Sequence, residues 1–166
     1  MVFRIRKSRP RDLMAIDALL GQSYPRLLRE HYLPSVLVTA IPLIAKARPG
    51  LVASGTYFVC EDEAGILLGV GGWTRRGPLG ENDPRTVHIR HFATHPDAVR
   101  QGVAGAIMEV CLAQIASTEA KRISCAATRT AVPFYRSFDF DILEDVDLEL
   151  RPGITFPAIL MERLLV

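Results

Sequence analysis

The stretch HPDAVRQGVAGAIMEV, residues 95–110, decides the fold. It runs from His95-Pro96 through a basic, glycine-bearing turn into an apolar run, with no acidic side chain between Asp97 and Glu109. A helix presents about four unpaired backbone N–H groups and the positive end of its dipole at its N-terminus, which favours an anion there. Gly102 and Gly105 carry no side chain and Ala104 only a methyl, so the backbone from Gln101 through Val103 to Gly105 can approach a phosphate closely. Arg100 adds a charged donor, and the absence of a carboxylate across the turn avoids repulsion. The stretch is built for a pyrophosphate. Behind it Ala104, Met108, Cys111 and Ile115 recur at helical spacing, and Val103, Ile107 and Val110 widen the apolar face, which predicts a helix packed on a sheet. Plain close packing of that helix would also explain two glycines. Two other phosphate motifs fail on the residues: no GK[ST] closes the turn, and the spacing GxGxxG is absent.

Outward from this helix the chain alternates. Residues 3–6 form a strand, and Asp12 then precedes Leu13, Ile16, Leu19 and Leu20 at helical spacing. Residues 22–55 carry apolar clusters cut by prolines and fit one or two helices with a long loop. Residues 56–60 and 66–74 form a hairpin across the turn chemistry of residues 61–65. A loop over 77–84 leads to a strand over 86–94, then the quoted helix to about Ser117, a strand over 123–128 and a short helix over 131–138. Strands over 143–150 and 158–165, joined through Arg151-Pro152-Gly153, close the chain. Mixed βα units and hairpins predict an α/β domain with a mixed sheet, and 166 residues suit one domain spanning 1–166.

Composition narrows the function. Hydrophobic residues at 49% and charged residues at 23% describe a globular chain. A net charge of +2 without any block of like charges gives no nucleic-acid footprint, so a bound phosphate needs a local site. Cys60, Cys111 and Cys125 lie in apolar runs without CxxC spacing, as buried thiols of a reducing cytoplasm would. The start MVFRIRKSRPRD has no apolar signal segment, and residues 32–47 are broken by Pro34 and Pro42, so a cytoplasmic protein without a membrane span is expected. No HExxH, paired CxxC or clustered His/Asp spacing calls for a metal.

The run HIRHFATHPDAVRQGVAGAIM, residues 88–108, resembles the acyl-CoA binding segment of the GNAT superfamily of N-acyltransferases. In that family a strand ends in a His-Pro-Asp type turn and enters a helix through Q/R-x-x-G-x-G/A. That motif falls on residues 99–104, with Val99 in place of the usual Gln or Arg. AVPFYRSFDF, residues 131–140, is similar to the family's later helix: Tyr135 and Phe140 hold the spacing, and Asp139 stands where glycine is usual. The order of elements over nearly the whole chain agrees. The resemblance implies the GNAT-type fold, a mixed, mostly antiparallel central sheet flanked by helices.

It also implies an N-acetyltransferase that moves an acetyl group from acetyl-CoA, its co-substrate, to a primary amine by direct attack in a ternary complex. The pantetheine would pair with the strand at Phe92, Ala93 and Thr94, and the pyrophosphate would sit on Arg100, Gln101, Gly102, Val103, Ala104 and Gly105. Tyr135 would be the acid for the leaving thiolate, since a phenol of reference pKa ~10 lies near enough to a thiol. His88 would be the base, with His91 or ordered water as alternatives. Strand alternation places the two histidines on opposite faces unless a bulge intervenes.

The acceptor, a small molecule or a peptide, is left open by two patches with opposite preferences. Asp145, Asp147 and Glu149 share one strand face that would suit a cation or is simply the wet side of an outer strand. Trp73, Arg75 and Arg76 would suit a carboxylate, unless Trp73 caps the core and the arginines are solvated. The apolar end Leu164-Leu165-Val166 would leave a sticky strand edge if unpaired, which predicts a homodimer. The alternative to an enzyme is a non-catalytic acyl-CoA-binding sensor or interaction module on the same fold, which Val99 and Asp139 favour and Tyr135 opposes.

Overall fold

A computed structural model describes residues 2–166. Among these, seven strands, β1 (Phe3–Lys7), β2 (Tyr57–Asp62), β3 (Leu67–Thr74), β4 (Thr86–Thr94), β5 (Arg122–Ala127), β6 (Asp141–Arg151) and β7 (Ile154–Leu164), form one sheet in the order β1-β2-β3-β4-β5-β7-β6. Only β4 and β5 run parallel; every other neighbouring pair is antiparallel. This is the mixed, mostly antiparallel sheet that the resemblance implies.

Helices cover both faces. The helix of the quoted stretch, α4 (Val103–Ala116), follows α1 (Leu13–Leu27), α2 (Pro34–Ile44) and α3 (Pro49–Val52), and α5 (Val132–Ser137) completes the set. On one face Val103, Ile107, Met108, Cys111 and Ile115 of α4 pack on Phe58, Leu68, Trp73, Val87 and Ile89. Each of the five α4 residues is at most 1% exposed, and each large aliphatic there contributes about 2 kcal/mol of transfer free energy. On the other face Ile16, Leu19, Leu20 and Tyr24 of α1, with Ala40, Leu51 and Val52, cover Tyr57, Val59, Val70 and Ala93.

The prolines of residues 22–55 start helices more than they cut them. Pro34 and Pro49 open α2 and α3, where a missing N–H costs nothing, while Pro25 and Pro42 fall in the last turns of α1 and α2. Asp12 precedes α1 as the sequence suggests. Its carboxylate, however, accepts from Arg6 Nη1 and Nη2 at 2.8 and 2.9 Å and from the Arg9 amide at 2.7 Å.

One expectation is corrected. β7 is paired on both sides, to β5 and to β6, so the apolar C-terminal strand offers no open edge and the reason for a homodimer falls. The outer strand is β6, and its exposed Asp145, Asp147 and Glu149 are the wet face of a sheet margin.

Along β4 the bulge that would break strand alternation is present. Val70 pairs with Ala93 but Gly72 with Arg90, so His91 and Phe92 together oppose the single residue Gly71: this is a β-bulge. His91 takes φ 54°, and a Cβ on Gly71 would lie 2.6 Å from the Phe92 ring, which only glycine allows. Val87, Ile89 and Phe92 face α4, whereas the His91 ring meets Tyr24 of α1 with centroids 6.4 Å apart. The bulge therefore puts His88 and His91 on the same face, the one alternation alone denied them.

Candidate active site

Pairing between β4 and β5 covers only Thr86, Val87 and His88 against Arg122, Ile123 and Ser124, after which the strands diverge. His95 N donates to Leu68 O at 2.8 Å, so His95 faces β3. By alternation the N–H and C=O groups of Phe92 and Thr94 turn toward the gap on the β5 side. The gap thus has an edge of backbone without a β5 partner at Phe92 and Thr94, while Ala93 between them pairs with Val70 of β3.

Aromatic side chains flank β4 here from both faces. Tyr135 on α5 is 4% exposed, with ring centroids 6.4 Å from Phe92, 5.2 Å from Phe134 and 5.5 Å from Phe140. Its hydroxyl lies against the Cys125 thiol of β5, and burial holds its pKa well above that of an ordinary phenol. It is protonated at any physiological pH, but burial also makes it a weaker acid than the ordinary phenol on which its expected role rests. Burial likewise pushes the Cys125 thiol up to about 12. From the other face the Tyr24 hydroxyl donates to Phe92 O at 3.4 Å, and Tyr57 donates to His91 O at 3.0 Å.

At the end of β4 the chain makes a short 3-10 turn, Pro96–Ala98, with His95 Nδ1 accepting from Asp97 N at 3.1 Å. Arg100 (φ 59°) and Gly102 (φ 84°) are both left-handed, and Gly102 caps α4. Successive turned amides of this kind make an anion-binding concavity. The first bond of the helix runs from Ala106 N to Gly102 O at 3.0 Å, leaving the N–H groups of Val103, Ala104 and Gly105 without intrahelical acceptors. The Val103 side chain is buried, so only its amide serves the tip, while Arg100, Gln101 and Gly102 are exposed. A Cβ on Gly102 meets nothing within 4 Å, and one on Gly105 has only Phe138 Cζ, at 3.8 Å. Tight helix packing is therefore not why these positions are glycine; backbone conformation and open access to the amides are.

His88 is 3% exposed, and its Nε2 has no hydrogen-bond partner among the described residues. Burial lowers its pKa, opposed by the Glu81 carboxylate, whose Oε2 lies 3.8 Å from Nδ1. His91 is pushed down to about 4, by burial first and then by Arg48 and Arg90. It is neutral at pH 7 and a poor proton acceptor.

Of the two acceptor patches, neither forms part of this site. Trp73 is 3% exposed in the α4 core and its Nε1 donates to Gln114 Oε1 at 2.7 Å. Arg75 lies over the indole at 5.6 Å and, with Arg76, is exposed. Arg90, by contrast, shares the face of His88, with Nη1 3.4 Å from both Thr74 Oγ1 and Arg76 O. Its pKa is lowered by burial and by Arg48, which acts on His91 and Tyr24 as well. Arg90 was legible as the residue two after His88 on one strand face. Tyr24 and Tyr57 carry no signal beyond apolar periodicity, and Glu81 none at all. Among the described residues no group of three or more His, Cys, Asp or Glu is arranged for a metal, and no helix is long and apolar enough to cross a membrane.

A family model described as an acetyltransferase (GNAT) domain matches residues 42–156. No curated protein matches the chain in sequence. Among solved structures, a GCN5-related N-acetyltransferase from Rhodopseudomonas palustris superposes with TM-score 0.76 at 17% identity, covering 99% of each chain. The PaiA N-acetyltransferase of Thermoplasma acidophilum, in complex with coenzyme A, gives 0.73 at 12% identity over 99% of this chain and 100% of that one. N-acetylglutamate synthase from Neisseria gonorrhoeae, complexed with coenzyme A and N-acetyl-glutamate, gives 0.66 at 15% identity over 100% of this chain and 36% of its own.

Proposed function

The chain belongs to the GNAT acetyltransferase family, and from that premise we propose that it transfers an acetyl group from acetyl-CoA to the primary amine of a small molecule or peptide. The observation that carries this is the backbone of Phe92 and Thr94, left without a β5 partner where the strands diverge, followed along the chain by the unpaired amides at the tip of α4. An unpaired strand edge suits the amides of a pantetheine arm, and a helix tip suits a diphosphate. Acetyl-CoA, when bound, supplies the thioester.

The protein's own groups supply the rest. Arg100 and the amides from Gln101 to Gly105 hold negative charge at the tip. Phe92 and Thr94, on either side of Ala93, align the arm by strand-like pairing. His88 Nε2 takes a proton from the acceptor ammonium so that the amine can attack, and Tyr135, protonated and facing the divergence of β4 and β5, donates to the departing sulfur. His91, neutral, lines the same face. Arg90 and Arg48 give that face a cationic character, which favours an acceptor bearing a carboxylate beside its amine. Buried free thiols at Cys60, Cys111 and Cys125 accord with a reducing, cytoplasmic setting.

The test is release of free coenzyme A thiol from acetyl-CoA in the presence of amino acids, polyamines, aminoglycosides and peptides. Turnover is expected with an amine that also carries a carboxylate, and a large loss with Tyr135→Phe. Coenzyme A binding with silence across the panel would overturn the proposal in favour of a non-catalytic acyl-CoA-binding module.

A further inference from the structure

The loop between β3 and β4 folds back over the face that carries His88. Gly77 N donates to Glu81 O at 2.9 Å and closes the loop, bringing Glu81 Oε2 to 3.8 Å from His88 Nδ1. Gly77 makes this approach possible. A Cβ there would collide with Glu81 Oε2 and would lie 2.7 Å from His88 Cε1, so any other residue would push carboxylate and ring apart. The opposite ring nitrogen, Nε2, is buried and has no partner among the described residues. An imidazole 97% buried with one nitrogen facing a carboxylate and the other unsatisfied is poised for a further group.

We propose that Glu81 is the positioning residue for His88, its charge favouring the tautomer with the proton on Nδ1 and so leaving the Nε2 lone pair for the acceptor. This rests on the assignment of His88 as the base. In the step itself an N–H bond of the acceptor ammonium breaks, its electron pair stays on the amine, and the proton joins Nε2. The imidazolium so formed stands opposite the Glu81 carboxylate and later returns its proton to solvent. At 3.8 Å the pair acts electrostatically, without a direct hydrogen bond. Glu81 therefore stabilises the charged ring more than the neutral one. The other charged groups acting on His88 are Asp83, in the same sense as Glu81, and Arg90, in the opposite one; its register partners Thr74 and Ser124 are uncharged.

The experiment is an NMR titration of the His88 ring in the wild type and in Glu81→Gln, alongside the pH dependence of kcat/KM. The His88 midpoint is expected to fall by about half a unit to one unit, with the acidic limb of the rate profile moving by the same amount. The KM for acetyl-CoA is expected to stay unchanged. Gly77→Ala, which keeps the carboxylate but displaces it, should move the midpoint the same way. A midpoint that stays in place in both variants overturns the proposal. A midpoint that moves while the rate profile does not removes His88 as the base, and the proposal with it, yet leaves acetyl transfer intact.

Discussion

Tyr135 on α5 stands edge-on to Phe92 of β4 at an interplanar angle of 69°, while its hydroxyl reaches Cys125 of β5. One side chain thus touches both parallel strands at the place where they part. Replacing it by phenylalanine keeps the ring in its aromatic surroundings and removes only the hydroxyl. Tyr135→Phe should lower kcat about a hundredfold. Thermal stability should change by no more than about 1 kcal/mol. Steady-state kinetics beside calorimetric coenzyme A binding will check this: kcat should drop while the dissociation constant holds. An unchanged kcat would remove Tyr135 from the chemistry.

His91 should act as a pH-dependent weakness of the fold. Its folded pKa of about 4 lies below the ordinary value of 6.5, so the unfolded chain binds the proton more readily. Its neutral form is fully accommodated above pH 6.5, and stability is lost as pH falls from there toward 4. His91→Asn tolerates the left-handed backbone at φ 54° and cannot titrate. Urea midpoints measured at pH 7 and pH 5 should therefore fall further in the wild type than in the variant. Equal losses would contradict the burial of this ring.

The Arg6 guanidinium ties β1 to two carboxylates at once, Asp12 at 2.8 and 2.9 Å and Glu61 at 3.3 Å. Glu61 is 4% exposed and Asp12 8%, so removing the cation leaves Asp12 without its ion-pair partner and Glu61 with Arg4 alone. Arg6→Ala should destabilise the protein by about 3 kcal/mol, measured by chemical denaturation. Both carboxyl pKa values are held below their usual range, by the Arg6 hydrogen bonds first. Their contribution is present above the unfolded carboxylate values and disappears as pH falls through the folded ones. The wild type should accordingly lose its advantage over the variant in acid. A variant as stable as the parent at pH 7 would show that the network contributes nothing.

Much of this architecture was legible because it is periodic or local. The apolar positions of α4 announce the helix, and Gly102, Ala104 and Gly105 announce its bare tip. What stayed hidden depends on chain-distant contacts. Alternation along β4 separates His88 from His91, and only the bulge opposite Gly71 reunites them. Trp73-Thr74-Arg75-Arg76 looks like a binding patch until Gln114, 41 residues away, takes the indole N–H. Glu81 lies in a loop whose composition says nothing about the histidine it meets, because that meeting depends on how Gly77 lets the loop close. The apolar end of the chain suggested an edge because nothing local reveals that β7 inserts between β5 and β6.

The claim on which all of this depends is that bare amides at the tip of α4 hold the diphosphate of coenzyme A. Ala104→Asp tests it cleanly, because a carboxylate in the first turn favours the helix dipole while repelling a bound phosphate. Calorimetric titration of coenzyme A into wild type and variant should show binding weakened at least tenfold, about 1.4 kcal/mol, with a melting temperature equal to or above that of the parent. Undiminished affinity in a folded Ala104→Asp protein would contradict the account.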